Sequence, residues 1–397
     1  MDSGSHRFAY RPPTVRVGRG AVQALGEEFD RLGLDRALVI CGRSVGANPA
    51  TIDPVVDALD DRLASVFAET RSDKRLATAL QAAQRASTIE ADVLVGLGGG
   101  SSLDVARVAS ALSTSQAPLD AVYDRFSAEG TVPLGDGPAL PVAVLPTTLA
   151  GADLSDGAGI TAHPSTDPVD EAVSGGVRDP RLMPRLAVFD PGLVATTPRA
   201  ALVGSVMNGL DKGIEALYAP SRGPVTDATA AHGLGLLASA LPDIEGAIEE
   251  VVEGALLVQY GAARPDATTL SLIHAFGHGL TATVDVQQGV AHAIMAPPTL
   301  AYLFDNVDAR RERLARALGV DAGGLDDAAT ANAVVAAVAE LRDGLGLPAA
   351  LRTVEGLDRG DLETVARRTA ADPLAANVPP GVDTDAEALL DVLHAAW

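Results

Sequence analysis

The stretch that most restricts how this chain folds is VLVGLGGGSSLDVARVA, residues 93–109. An apolar run of strand length meets a glycine turn, and the turn opens a run with helical spacing. Three consecutive glycines cost backbone entropy, so Gly98, Gly99 and Gly100 call for a compensating role. Close approach supplies one. Bare backbone N–H groups surround a phosphate, Ser101 and Ser102 add hydroxyls, and the helix presents its positive end. The glycines do not follow G-x-G-x-x-G, so an ordinary Rossmann dehydrogenase is not indicated. What the stretch predicts is a strand buried in a parallel sheet, with an anion at its end.

Neighbouring segments supply the rest of such a sheet. Residues 14–17, 37–41, 141–145 and 186–189 read as further strands, and residues 21–32, 74–87 and 103–112 as helices, the first capped by Gly33. Strands alternating with helices give βαβ units. Past Pro198 the pattern changes. Residues 201–218, 227–240, 244–260, 268–280, 310–317, 328–344 and 361–368 all suit helices, and convincing strands are missing. The expected architecture is an α/β domain with a parallel sheet over residues 1–194, then an all-helical domain over residues 195–397. Residues 130–138 and 163–179, rich in Gly, Pro, Ser and Asp, read as surface loops of the first domain.

Composition then excludes several functions. Acidic residues number 52 against 30 basic ones, a net charge of −22, which disfavours nucleic acid and anionic membrane surfaces as partners. No apolar run approaches the ~18 residues that span a bilayer. The N-terminal MDSGSHRFAYRPP lacks the features of a signal peptide, so a cytoplasmic location is expected. The single cysteine, Cys41 in ALVIC, excludes an internal disulfide and reads as a buried thiol. The acidic residues are dispersed and lysine is almost absent, a pattern that resembles proteins of salt-accumulating microbes. Molar salt there confines charge repulsion to ~3 Å.

One of the two lysines, Lys74 and Lys212, lies inside MNGLDKGIEALY, residues 207–218. Asn208 and Lys212 are four apart and share a helix face. LSLIHAFGHG repeats the device with His274 and His278. Lone helical histidines such as His232 and His394 read as core residues; the paired ones read as walls of one site. For Lys212 the plain alternative is an ion pair with Asp211 or Glu215 on its own helix, worth only ~0.3–0.5 kcal/mol.

Taken in order, GGGSSLD, PTTLAG (146–151), FDPGLVATTP (189–198), NGLDKGIEALYA and residues 273–297 resemble the signature segments of the iron-containing (group III) alcohol dehydrogenase family. NGLDKGIEALYA and PTTLAG have the form seen in its maleylacetate reductase branch. The resemblance runs over essentially the whole chain and implies a two-domain dehydrogenase, dimeric, binding a nicotinamide dinucleotide. It assigns Gly99, Gly100 and Ser101, beside Gly98, to the pyrophosphate. Asp104, Thr147 and Thr148 fall on the nicotinamide and ribose side, and Ala152 stands where a serine often touches the cofactor. Many NAD-using members carry an aspartate for the adenosine ribose where this chain has Gly42, followed by Arg43. Without that carboxylate a 2′-phosphate is not repelled and Arg43 can pair with it, which favours NADP(H), with NAD(H) close behind.

The family also binds a divalent metal through an Asp and a His on one helix, a His on a second, and a His about fourteen residues on. Those positions fall on Asn208, Lys212, His274 and Gln288. Amides are weak neutral ligands and an ammonium has no lone pair, so the resemblance preserves the spacing and loses the donors. An alignment using Asp211 with Glu215 or His232 breaks the spacing to His274. The expectation is a metal-independent NAD(P)-dependent reductase or dehydrogenase of a small, anionic carbonyl or alcohol. Lys212 would take the role of the metal's charge, His278 would handle the proton, and His274, Asn208 and Gln288 would orient the substrate. Two other readings stay open: a dehydroquinate-synthase-like lyase using NAD transiently, and a nucleotide-binding homologue without catalysis.

Overall fold

A computed structural model of the chain describes Tyr10, residues 12–263 and residues 267–397. It divides into two compact units: residues 12–148 with Ala152–Thr197, and Tyr10 with Leu149–Gly151 and Pro198–Trp397.

The first unit is built on a six-stranded parallel sheet. Its strands are β1 (Thr14–Val17), β2 (Ala37–Gly42), β3 (Leu63–Thr70), β4 (Val93–Gly98), β5 (Val142–Pro146) and β8 (Leu186–Phe189), in spatial order β1-β8-β5-β4-β2-β3. β4 lies inside the sheet and is buried at every residue, as its apolar run predicts. The sequence proceeds outward from β2 to β3 on one side and from β4 to β5 on the other. The ends of β2 and β4 therefore flank the place where parallel sheets of this kind bind ligands. One face of the sheet packs Val39, Val95, Leu97 and Val188 against Leu25, Phe29, Val55 and Leu59, an aliphatic core that needs few aromatics. Asp190, just past β8, accepts from the amides of Gly20 and Val22 at 3.1 Å and Gly192 at 2.8 Å, tying the first turn of the chain to the end of the sheet.

One expectation needs correction, and two elements were not read from the sequence. Residues 163–179 are not wholly a loop, because β7 (Val173–Arg178) pairs antiparallel with β6 (Gly157–Ala162). Their glycines, Gly157, Gly159, Gly175 and Gly176, erase the apolar alternation that marks a strand. β3 went unrecognised because it is an edge strand whose residues are mostly half-buried. The Gln288–Asn306 helix runs through Pro297 and Pro298, residues that end most helices.

The second unit contains helices and no strand among its described residues. At its centre is the Arg199–Tyr218 helix, buried along nearly its whole length from Leu202 to Tyr218. Gly213 brings it close to its neighbours, for a Cβ there would lie 2.8 Å from Leu234 and 3.0 Å from Val258. A second core gathers Leu272, Phe276, Ile294, Met295, Leu362, Val365 and Leu393 from the surrounding helices. No helix among the described residues is long and apolar enough to cross a membrane.

Candidate active site

In the α/β unit the glycine turn behaves as its sequence suggests. Gly98 ends β4 at φ +130, a conformation that side chains resist, and the following helix, Gly100–Ser113, begins inside the glycine run. A Cβ on Gly99 would sit 3.4 Å from Thr148, and one on Gly100 would sit 3.2 Å from the Ala152 methyl. Thr148 and Ala152 thus wall the turn, while Thr147 is buried behind it, its amide donating to Gly98 O at 3.0 Å. Thr70 at the end of β3 bonds Ser102 at 2.8 Å, joining a third strand end to the same place. Backbone amides, a helix N-terminus and an open glycine surface fit the pyrophosphate of a dinucleotide.

Asp104 is held by a cation on each side. Its Oδ2 accepts from Lys74 Nζ at 2.5 Å and its Oδ1 faces Arg107 Nη1 at 3.4 Å. Arg107 is completely buried, and its Nη2 donates to the carbonyls of Ala152 at 2.5 Å and Asp153 at 3.0 Å. Burial pulls this guanidinium below its usual range, against the pull of Asp104. Arg107 escaped notice in the sequence, although its i+3 relation to Asp104 was visible there. Arg43 follows Gly42 at the end of β2 and is well exposed, but its guanidinium is engaged by Glu69 at 2.5 Å. The pair lies at the surface, with both side chains well exposed.

In the helical unit the second lysine sits in a more confined setting. Lys212 Nζ donates to Gly151 O at 2.9 Å and approaches Gln259 Oε1 at 3.3 Å. Glu215, its plain alternative partner, is committed elsewhere. Its Oε1 accepts the His274 amide at 3.1 Å, and its Oε2 accepts the Ser271 amide at 2.8 Å and lies 2.6 Å from His274 Nδ1. Burial pushes Glu215 up to about 8, with the amides pulling the other way. Burial, then the charge on Lys212, pushes His274 well below the usual histidine range. That leaves His274 Nε2 and Asn208 Oδ1 as buried polar atoms without a protein partner.

His292 is fully buried against this group. Its ring meets His274 edge-on at 4.3 Å, lies over Gly277, and faces Asp211 at 3.6 Å. Asp211 is also fully buried, and burial lifts its carboxyl well above the usual range. His278, one turn beyond His274, is nearly half exposed, with Nδ1 2.7 Å from Asp372. Gln288 is the first residue of its helix and half-buried.

As ligands for a divalent ion, Asn208, Lys212, His274 and Gln288 offer two neutral amides, one ammonium already donating to oxygen, and one imidazole. Among the described residues no three His, Cys, Asp or Glu side chains converge on a point a metal could occupy. The donor chemistry does not fit the ion.

Comparison with known proteins covers both units. The description "Iron-containing alcohol dehydrogenase" matches residues 12–191, and "Fe-containing alcohol dehydrogenase family, C-terminal" matches residues 202–397. The maleylacetate reductase of Burkholderia cepacia is 29% identical over 351 residues, covering 86% of this chain and 89% of that protein. The crystal structure of a 1,3-propanediol oxidoreductase superposes with a TM-score of 0.87 at 21% identity, over 99% of this chain and 100% of the other. Sulfoacetaldehyde reductase from Bifidobacterium kashiwanohense, solved with NAD+, gives 0.84 at 20% identity, over 99% of each chain.

Proposed function

Because this chain belongs to the iron-containing alcohol dehydrogenase family, and so is a nicotinamide-dependent oxidoreductase of alcohols and carbonyls, we propose that it reduces a small anionic carbonyl compound without a metal, using the Lys212 ammonium as the electrophile. The observation that carries this reading is the placement of Lys212: a part-buried cation that donates to Gly151 O and reaches Gln259 Oε1, at the position where the family resemblance expects a metal ligand. Bound nicotinamide supplies the hydride. Gly98, Gly99, Gly100 and Ser101 would hold its pyrophosphate, with Thr147, Thr148 and Ala152 beside them, while Asp104 acts through its ion pairs with Lys74 and Arg107. As negative charge grows on the substrate oxygen, Lys212 stabilises it in a setting poor in water. His278, oriented by Asp372, then delivers the proton. Asn208 Oδ1 and His274 Nε2, both lacking protein partners, together with Gln288, orient the substrate.

The maleylacetate reductase relative supports an anionic substrate, since a dicarboxylate would gain directly from a fixed cation. Cofactor choice falls to the Arg43–Glu69 pair: Arg43 favours the 2′-phosphate of NADP(H), while Glu69 competes for that guanidinium. Dispersed acidity and scarce lysine support salt adaptation, and the family resemblance supports a cytoplasmic homodimer. The test is oxidation of NADPH and NADH in molar salt against aldehydes, ketones and keto acids including maleylacetate. Carbonyl-dependent oxidation is expected with at least one anionic member. A dehydroquinate-synthase-like lyase would show no net change in cofactor absorbance, and binding without turnover on any member would contradict catalysis.

A further inference from the structure

We infer that Lys74 is a positioning residue of the dinucleotide site: through Asp104 it cancels a carboxylate charge that would otherwise oppose the cofactor's phosphates. The inference rests on the reading of the glycine turn given above. The Gly100–Ser113 helix begins in that turn, and Asp104 lies one turn further along it, four residues from Gly100 and three from Ser101. Positions so spaced share a helix face. Asp104 is buried, close to the positive helix end on which a phosphate would rest, and like charges repel strongly where water is scarce. Arg107 alone offsets that charge poorly. Its Nη1 stands 3.4 Å from Asp104 Oδ1, and its Nη2 is engaged by the carbonyls of Ala152 and Asp153. Lys74 Nζ, by contrast, meets Asp104 Oδ2 at 2.5 Å.

The backbone around Lys74 is shaped for this contact. Its φ is +47, in the left-handed region that side chains disfavour, and such strain persists only where the surroundings impose it. Here they do. The Thr161 amide of β6 donates to Lys74 O at 2.8 Å, and Arg75 donates to Asp73 Oδ2 at 2.6 Å and to Ser165 Oγ at 2.8 Å. The loop after β3 is thereby pinned to the hairpin segment, and its lysine is directed at the first turns of the helix. With one other lysine in the whole chain, this one is no by-product of a lysine-rich surface.

The test measures by calorimetry the binding of ADP, which carries a pyrophosphate, and of adenosine, which carries none. It uses the lowest salt in which the protein stays folded, since molar salt confines charge effects to ~3 Å. The unaltered protein is compared with Lys74→Met, Lys74→Arg, Asp104→Asn and the double variant Lys74→Met with Asp104→Asn. Lys74→Met should weaken ADP about five- to tenfold and leave adenosine unchanged. Lys74→Arg keeps the charge and should stay near the unaltered value. The double variant loses one charge of each sign and should regain ADP affinity, whereas a broken structural tie is not mended by removing its second half. If Lys74→Met fails to fold, Asp104→Asn decides: tighter ADP binding supports the inference, and unchanged or weaker binding overturns it. ADP affinity unchanged in Lys74→Met, lost equally with that of adenosine, or not regained in the double variant overturns the inference and leaves the glycine-turn reading standing. An unaltered protein that binds none of ADP, NADH and NADPH overturns that reading and this inference together.

Discussion

The Lys212 ammonium donates to the carbonyl oxygen of Gly151, 61 residues earlier in the chain, at 2.9 Å. The bond joins two sequence motifs, through the loop glycine of PTTLAG and the lysine of NGLDKGIEALYA. It also discriminates between accounts of the lysine. A helix-surface cation would be satisfied by Glu215 three residues on, whereas Glu215 is spent on Ser271 and His274.

Gly151→Ala should be damaging for two independent reasons. The residue sits at φ +75, and the new methyl would enter the space of Gln259 and Lys212. A strained left-handed residue costs roughly 1–3 kcal/mol. Thermal unfolding should register that cost, and turnover should fall further than cofactor affinity.

Enlarging the glycine turn should do the opposite. In Gly100→Val the side chain meets the Ala152 methyl, which already lies 3.2 Å from the position of a Cβ. The cofactor dissociation constant, followed by nucleotide fluorescence, should rise at least about tenfold as backbone amides withdraw from the phosphates.

Replacing Arg107 by Met leaves the Ala152 and Asp153 carbonyls without their donor in the interior and Asp104 with Lys74 alone. Removing one member of a buried ion pair costs about 3–5 kcal/mol. Urea unfolding should show a loss of that size, far above that of Arg43→Met, whose partner Glu69 remains in water.

Glu215 predicts a pH dependence of stability. Burial raises its carboxyl from an ordinary 4.5 to about 8 in the folded state. Its contribution is fully present below the ordinary value and is lost as pH rises through about 8. The unfolding temperature should therefore decline between pH 5 and 8.5, and Glu215→Gln should flatten that decline.

The parallel sheet and its glycine turn were legible because β4 is an apolar run and the turn opens on Gly98, whose φ of +130 side chains resist. Helices such as Arg199–Tyr218 were legible from periodicity. The β6–β7 hairpin was not, because its glycines carry no pattern and its pairing is a matter of backbone alone. In the candidate site, Asn208, Lys212, His274 and His278 stood out through spacing on two helices. Gln259, Arg107 and the Asp211–His292 pair did not, since each acquires its meaning from a partner on another segment. Lys74 was visible as one of two lysines, and that rarity deserved the same weight it received at Lys212.

The central claim is that Lys212 does the work of a metal ion. It is tested most directly by turnover after exhaustive chelation, measured with and without added ferrous or zinc ion. The account predicts the same kcat in all three states. Activity that disappears on chelation and returns with one equivalent of metal would contradict it.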